Sequence, residues 1–287
     1  MSIEKSQEQY WQKRTKEPEA EIVARAQAGD SEALEALFAS WRKPLFAFIY
    51  RMVTRREDAE DLTQEVFVRC LRGLASFRGD SQFKTWLFGI ATHVCLDHLR
   101  KKQSWRVEAQ MVAQQEGVKS SAHNQQLSKL MSDPSFTFDI KEHIAFCLAC
   151  VGRTLAPEEQ AALLLREMFG FTGEESAQML EISEPVLRHR LARARSTMAG
   201  HFDGLCQLIN KTGVCYQCRG LRDYCPEGHK GVNLVSIEAL TGTPRKPETL
   251  LDARLSMAKT ADLEDGTSSK LHTLFFDSLT RQEESHR

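Results

Sequence analysis

No stretch of this 287-residue chain comes near the ~18 unbroken apolar residues that a membrane span requires. The opening MSIEKSQEQYWQKRTKEPEAE is charged where a signal peptide needs an apolar core, so the chain is expected in the cytoplasm. It also lacks an excess of one charge: the formal net charge is −1 and the pI is near 6.8. Any grip on nucleic acid must then come from local patches. There is no phosphate-cradling glycine loop, no H-E-x-x-H and no dinucleotide fingerprint. The Gly-Asp-Ser triplets at 29–31 and 79–81 fall at predicted helix boundaries, without the strand that a nucleophile elbow needs, so no enzyme is expected. Neither a β-rich block nor an internal repeat is present, which leaves an all-α fold.

What is present divides the chain into parts. Residues 1–20 form a polar tail, and residues 21–106 carry apolar positions at helical spacing, with Asp30 or Ser31 placed to cap one helix and Glu57 and Asp58 in the first turn of another. Residues 107–137 are rich in Gln, Ser and Lys with weak periodicity, the composition of a linker that lets its flanks move relative to each other. Helical periodicity returns over 138–204. A cysteine-rich stretch occupies 205–230, and 231–287 is an extension in which Pro247 suits a helix start and Leu271, Leu274, Phe275 and Leu279 share a face.

In EDAEDLTQEVFVRCLRGL the positions Leu62, Val66 or Phe67, Cys70, Leu71 and Leu74 make an apolar stripe, with Asp58, Asp61 and Glu65 opposite. The next segment, Ser76 to Arg106, carries Lys or Arg at 78, 84, 100, 101, 102 and 106 against Asp80 and Asp97, an excess of four positive charges. Cations beside Phe77, Phe83 and Trp86 suit single-stranded DNA, because aromatic faces stack on bases while cations neutralise phosphates. Phe83, Trp86, Ile90 and Val94 also fit a core stripe, a reading that suits Ile90 and Val94 best. Phe77, Arg78 and Ser81, in the polar loop, are the stronger contact candidates.

Over 155–198 the order is helix, turn, short helix, tight turn, longer helix. Thr172 and Glu175 have capping-box spacing, and Ser183 with Pro185 opens the longer helix. That is the punctuation of a helix-turn-helix. Leu187, Leu191 and Ala194 can face inward while Arg188, His189, Arg190, Arg193 and Arg195 project, and arginines at the start of such a helix can read guanine edges and hold phosphates.

The run DAEDLTQEVFVR…FRGDSQFKTWLFGIA…LDHLRKK resembles region 2 of the extracytoplasmic-function (ECF) sigma factors of the sigma-70 superfamily, and LAPEEQAALLLRE…GFTGEESAQMLEIS…LRHRLARAR resembles their region 4. The resemblance implies two helical domains on a flexible linker, partnered by core RNA polymerase (β′ and β subunits) and promoter DNA, with an anti-sigma factor as a further candidate partner. It implies that Asp58, Asp61, Gln64 and Glu65 dock on the polymerase β′ subunit. Phe77, Arg78, Ser81, Lys84, Trp86, Arg100, Lys101 and Lys102 would meet the minus-ten element, and Arg188, His189, Arg190 and Arg193 the minus-thirty-five element. Gly89 and His93 stand where family members often carry Arg and Asn. A metal- or redox-responsive helix-turn-helix regulator without a sigma role is the alternative.

Eight cysteines in a chain expected to meet a reducing compartment read as thiols or metal ligands. Cys147 and Cys150 lie one turn apart among apolar residues and suit core packing. Cys215 and Cys218 have the spacing of half a tetrahedral zinc site, and two pairs can complete it, Cys206 with Cys225 or Cys225 with His229; the four-cysteine set is preferred because its thiolates are all close by. Zinc is the expected metal, and no organic cofactor is expected. Similar cysteine-rich tails occur on some ECF sigma factors, which implies a regulatory module.

Overall fold

The computed structural model describes residues 18–101, 140–205 and 247–259, with short pieces at 125–126, 128–130 and 132–133 and the single residue 261. The described elements are all helical: α1 (Glu19–Gln27), α2 (Ser31–Val53), α3 (Arg56–Leu74), α4 (Phe83–Arg100), α5 (Ile140–Gly152), α6 (Pro157–Leu163) continued by a wider turn over Leu164–Met168, α7 (Gly173–Met179), α8 (Glu184–Leu205) and α9 (Pro247–Lys259). They fall into two compact units: α1 to α4 with 157–191, and α5 with the second half of α8 and α9.

Local causes bound α2 at both ends. Asp30 caps α2, accepting the N–H groups of Glu32 and Ala33 at 3.0 and 3.1 Å, and Arg25 pairs with the same carboxylate at 2.5 Å. Gly29 before it has φ +92°, a conformation that glycine reaches without strain. α2 ends at Thr54, whose left-handed φ of 66° closes the helix through an N–H bond to the Tyr50 carbonyl.

The core of this unit is built along α2, where Leu45, Phe48, Ile49 and Met52 are fully buried, each contributing about 1.5–3 kcal/mol relative to an exposed side chain. α3 faces it with Ala59, Leu62, Val66, Cys70 and Leu74, the spacing of one helix face. Val66 is the buried member of the Val66–Phe67 choice; Phe67 is half-buried and stacks on Phe38 with ring centroids 4.5 Å apart. Leu71 departs from the expected stripe. It is 51% exposed beside Val68 at 46%, because it lies on the flank turned away from α2 and α4.

The segment 157–191 packs against α2 and α4. Buried Gln160 donates to the carbonyls of Arg51 and Met52 at 2.8 and 3.2 Å, satisfying groups that the last turn of α2 leaves unpaired. Phe169 and Phe171 close on Phe88 of α4 with centroids 5.4 and 5.0 Å apart. Apolar area that α2 and α4 cannot bury on α3 is buried on 157–191.

In the second unit α9 packs on α5. Leu251, Arg254, Leu255 and Ala258 of α9 are buried at the i, i+3, i+4, i+7 positions of one face. Pro247 opens α9, as its fixed φ favours. Cys147 and Cys150 are buried and free of disulfides, in line with core packing. Leu271, Leu274, Phe275 and Leu279 lie outside the described residues.

Candidate functional site

α3 presents its polar face because its apolar stripe is taken by α2 and α4. Asp61, Gln64 and Glu65 are exposed there, with Glu65 pairing to Arg69 at 2.5 Å and Glu60 to Arg56 at 3.0 Å. Asp58 stands apart from this group. Its carboxylate is only 20% exposed and lies 3.4 Å from the His98 ring of α4. The face open to a partner is therefore Asp61, Gln64 and Glu65, bordered by the exposed Val68 and Leu71.

The loop between α3 and α4 is pinned from behind. Gln27 donates to the carbonyls of Leu74 and Phe77 at 3.0 and 2.7 Å, and Gly79 turns the chain with φ +76°. This fixes Phe77 half-buried, its ring 5.0 Å from Trp86 and 5.8 Å from Phe83. Phe83 is buried at 4% exposure and belongs to the core; Trp86 is half-buried and lies against Gly73, where an added Cβ would meet its ring at 3.1 Å. Arg78 is 83% exposed and pairs with Asp80 at 2.9 Å. Ser81 is half-buried beside them. Arg100 pairs with Asp97 at 3.3 Å and Glu158 at 3.4 Å, and Lys101 is exposed. Lys102 lies outside the described residues.

Lys84 and Thr85 are among the α4 residues engaged by the 157–191 segment. The Lys84 ammonium lies 4.8 Å from the centroid of Phe171, and the Thr85 hydroxyl donates to Glu175 at 2.9 Å. Neither Thr85 nor Gln160 carried a functional signal in the sequence. A Cβ added at Gly89 would meet the Met179 side chain at an ordinary 3.9 Å, and His93 lies 3.4 Å from Glu181.

In the helix-turn-helix the Thr172–Glu175 capping box forms in both directions, at 3.1 and 2.8 Å. Burial pushes the Glu175 carboxyl up, but hydrogen bonds from Thr172 and Thr85 and the nearby Lys84 charge outweigh it and hold it below the ordinary carboxylate value. The first residues of α7 and α8 lie close together: a Cβ on Gly173 would sit 3.0 Å from the Glu184 carboxylate. On α8, Leu187 and Ala194 are buried and Leu191 half-buried, while Arg188, His189 and Arg193 are exposed and Arg190 half-buried. Arg195 is held by Asp252 of α9 at 2.6 Å, a partner that the sequence pattern did not announce.

The sequence matches two family profiles in this order: Sigma-70 region 2 over residues 37–106 and Sigma-70, region 4 over residues 146–198. It is 30% identical over 181 residues to the ECF RNA polymerase sigma factor SigM of Mycobacterium tuberculosis, covering 63% of this chain and 83% of that one. The chain belongs to the ECF RNA polymerase sigma factors. Similarity extends to the RNA polymerase sigma-H factor of Pseudomonas aeruginosa, 28% identical over 64% of this chain and 93% of that one. The ECF RNA polymerase sigma-E factor of Escherichia coli is 29% identical over 62% of this chain and 90% of that one.

As an ECF sigma factor the protein works in transcription initiation, binding core RNA polymerase and promoter DNA. This sets aside the regulator without a sigma role, because regions 2 and 4 occur together and in sigma order. Among the described residues of this sigma factor, no helix is long and apolar enough to cross a membrane, and no group of His, Cys, Asp or Glu is arranged to hold a metal. Cys206, Cys215, Cys218, Cys225 and His229 lie outside the described residues. The described thiols Cys70 and Cys95 are buried, and desolvation pushes Cys70 up to about 12 and Cys95 higher still, so neither is a reactive thiolate.

Proposed function

We propose that this sigma factor divides its work among three surfaces. The exposed Asp61, Gln64 and Glu65 of α3 dock on the β′ subunit of core polymerase, with Asp58 bracing α3 against His98. The loop Phe77–Ser81 and α4 capture an unstacked minus-ten base, and Lys84, Arg100, Lys101 and Lys102 meet the strand's phosphates. Arg188, His189, Arg190 and Arg193 of α8 approach the minus-thirty-five element in the major groove.

The observation that carries the minus-ten part is the Phe77 ring, supported on one side by Trp86 and Phe83 and joined to an exposed Arg78. A half-open aromatic surface beside a cation offers stacking and phosphate neutralisation together. No chemistry on the strands is required, so the protein acts as a binding subunit in the cytoplasm and not as an enzyme. Comparing core-polymerase affinity with permanganate footprinting of promoter melting tests this: Phe77→Ala lowers melting and spares polymerase affinity, and equal losses in both contradict it.

Zinc at Cys206, Cys215, Cys218 and Cys225, with His229 the alternative fourth ligand, is proposed on spacing alone. An anti-sigma factor is a further proposed partner.

A further inference from the structure

α9 lies beyond residue 198, where the region 4 match ends, yet it packs into the same unit as the second half of α8. Two ties bind it to that helix. The Asp252 carboxylate accepts from Arg195 at 2.6 Å, and the Arg254 guanidinium sits 4.5 Å over the Phe202 ring. Arg254 is itself 1% exposed, and Leu251, Leu255 and Ala258 are buried with it, so α9 is anchored by its apolar face. Asp252 rides on that anchored helix with its own side chain 57% exposed, at the rim of the contact.

Arg195 stands about two helical turns after Arg188 on the same helix, and so near the same face. It is the kind of residue that holds a DNA phosphate once the start of its helix is in the groove. Here its charge is met by a carboxylate from outside region 4.

We propose that α9 is an internal cover of region 4, in which Asp252 stands where a DNA phosphate would and withholds Arg195 from the duplex. The occupant is this chain's own 247–259 segment, and the ligand it competes with is the phosphate backbone. The tether makes the competitor effectively concentrated, while a partly exposed ion pair remains weak enough for DNA to displace. The inference rests on the reading of α8 as the DNA-facing helix.

The test uses the full chain and a mixed-sequence DNA duplex, with fluorescence anisotropy over a salt series. Asp252→Asn tightens binding about threefold, the scale of a rim ion pair. It also steepens the fall of log affinity with log salt by about one phosphate's worth. In an Arg195→Gln background Asp252→Asn changes neither quantity. A general effect of removing one negative charge would persist in that background and would overturn the proposal, as would an unchanged salt slope for Asp252→Asn alone.

Arg188→Gln separates the two layers of the argument. If it lowers the slope while Asp252→Asn leaves the slope at the wild-type value, α8 faces DNA and the cover is wrong. If Arg188→Gln leaves the slope unchanged, the reading of α8 fails and the cover falls with it. Circular dichroism of Asp252→Asn should match the wild type, since the residue contributes nothing to the buried face.

Discussion

The Thr85 hydroxyl of α4 donates to the Glu175 carboxylate of α7 at 2.9 Å, and the same carboxylate closes the Thr172 capping box. One side chain thus starts the helix-turn-helix and ties it to the helix assigned to the minus-ten element. Thr85→Val should remove only the tie, at about 1 kcal/mol, and Glu175→Ala should cost more because the cap is lost as well. Urea denaturation checks the order, and equal effects would contradict it.

The sign of the pH dependence follows from the depressed Glu175 carboxyl. Its contribution is present above the ordinary carboxylate value of 4.5 and is lost as pH falls through its lower folded value. Amide protection in α7, taken relative to the intrinsic exchange rate at each pH, should therefore fall below that value in the wild type, and much less so in Glu175→Gln.

His143 of α5 behaves oppositely to an exposed histidine. Complete burial lowers it from 6.5 to about 4, so the folded state holds it neutral. The unfolded chain takes up the proton first, and stability should fall between pH 6.5 and 4 by about 3 kcal/mol from this group. His143→Leu should flatten that part of the stability profile, which denaturant titrations at several pH values measure.

Truncating the minus-ten loop should separate melting from docking. Base stacking on an aromatic side chain is worth about 1–3 kcal/mol, so Phe77→Ala should lower open-complex formation about tenfold. Arg78→Ala should act in the same direction with added salt dependence. Polymerase affinity, which the proposal assigns to α3, should stay near the wild-type value in both.

Metal analysis addresses the cysteine-rich segment. One zinc ion per chain is expected, lost in a Cys215→Ser, Cys218→Ser variant, because half the tetrahedral donor set goes with them. A metal content that this variant leaves unchanged would contradict the four-cysteine assignment.

Much of the local structure is legible in the sequence. The Asp30 cap, the Thr172–Glu175 box and the start of α9 at Pro247 all follow from rules spanning a few residues. Leu71 shows where periodicity stops helping: an apolar residue on the stripe's edge is sorted by the neighbouring helix, not by its own. Asp58 is the polar counterpart, turned toward His98 forty residues on.

Long-range partners left no local trace. Gln160 on the Arg51 and Met52 carbonyls, Glu175 on Thr85 and Asp252 on Arg195 join residues from separate segments, and each looks like an ordinary helix surface residue in sequence. The candidate site was correspondingly half visible: its exposed cations and the loop aromatics could be picked out, while the contacts that restrain Lys84 and Arg195 could not.

The most direct test of the central claim is transcription from the chain's own genomic DNA by purified core polymerase, with RNA 5′ ends sequenced. Adding the chain should produce discrete start sites, which a charge-reversed Asp61→Lys, Glu65→Lys variant should lose. A pattern of 5′ ends identical to that of core polymerase alone would contradict the account.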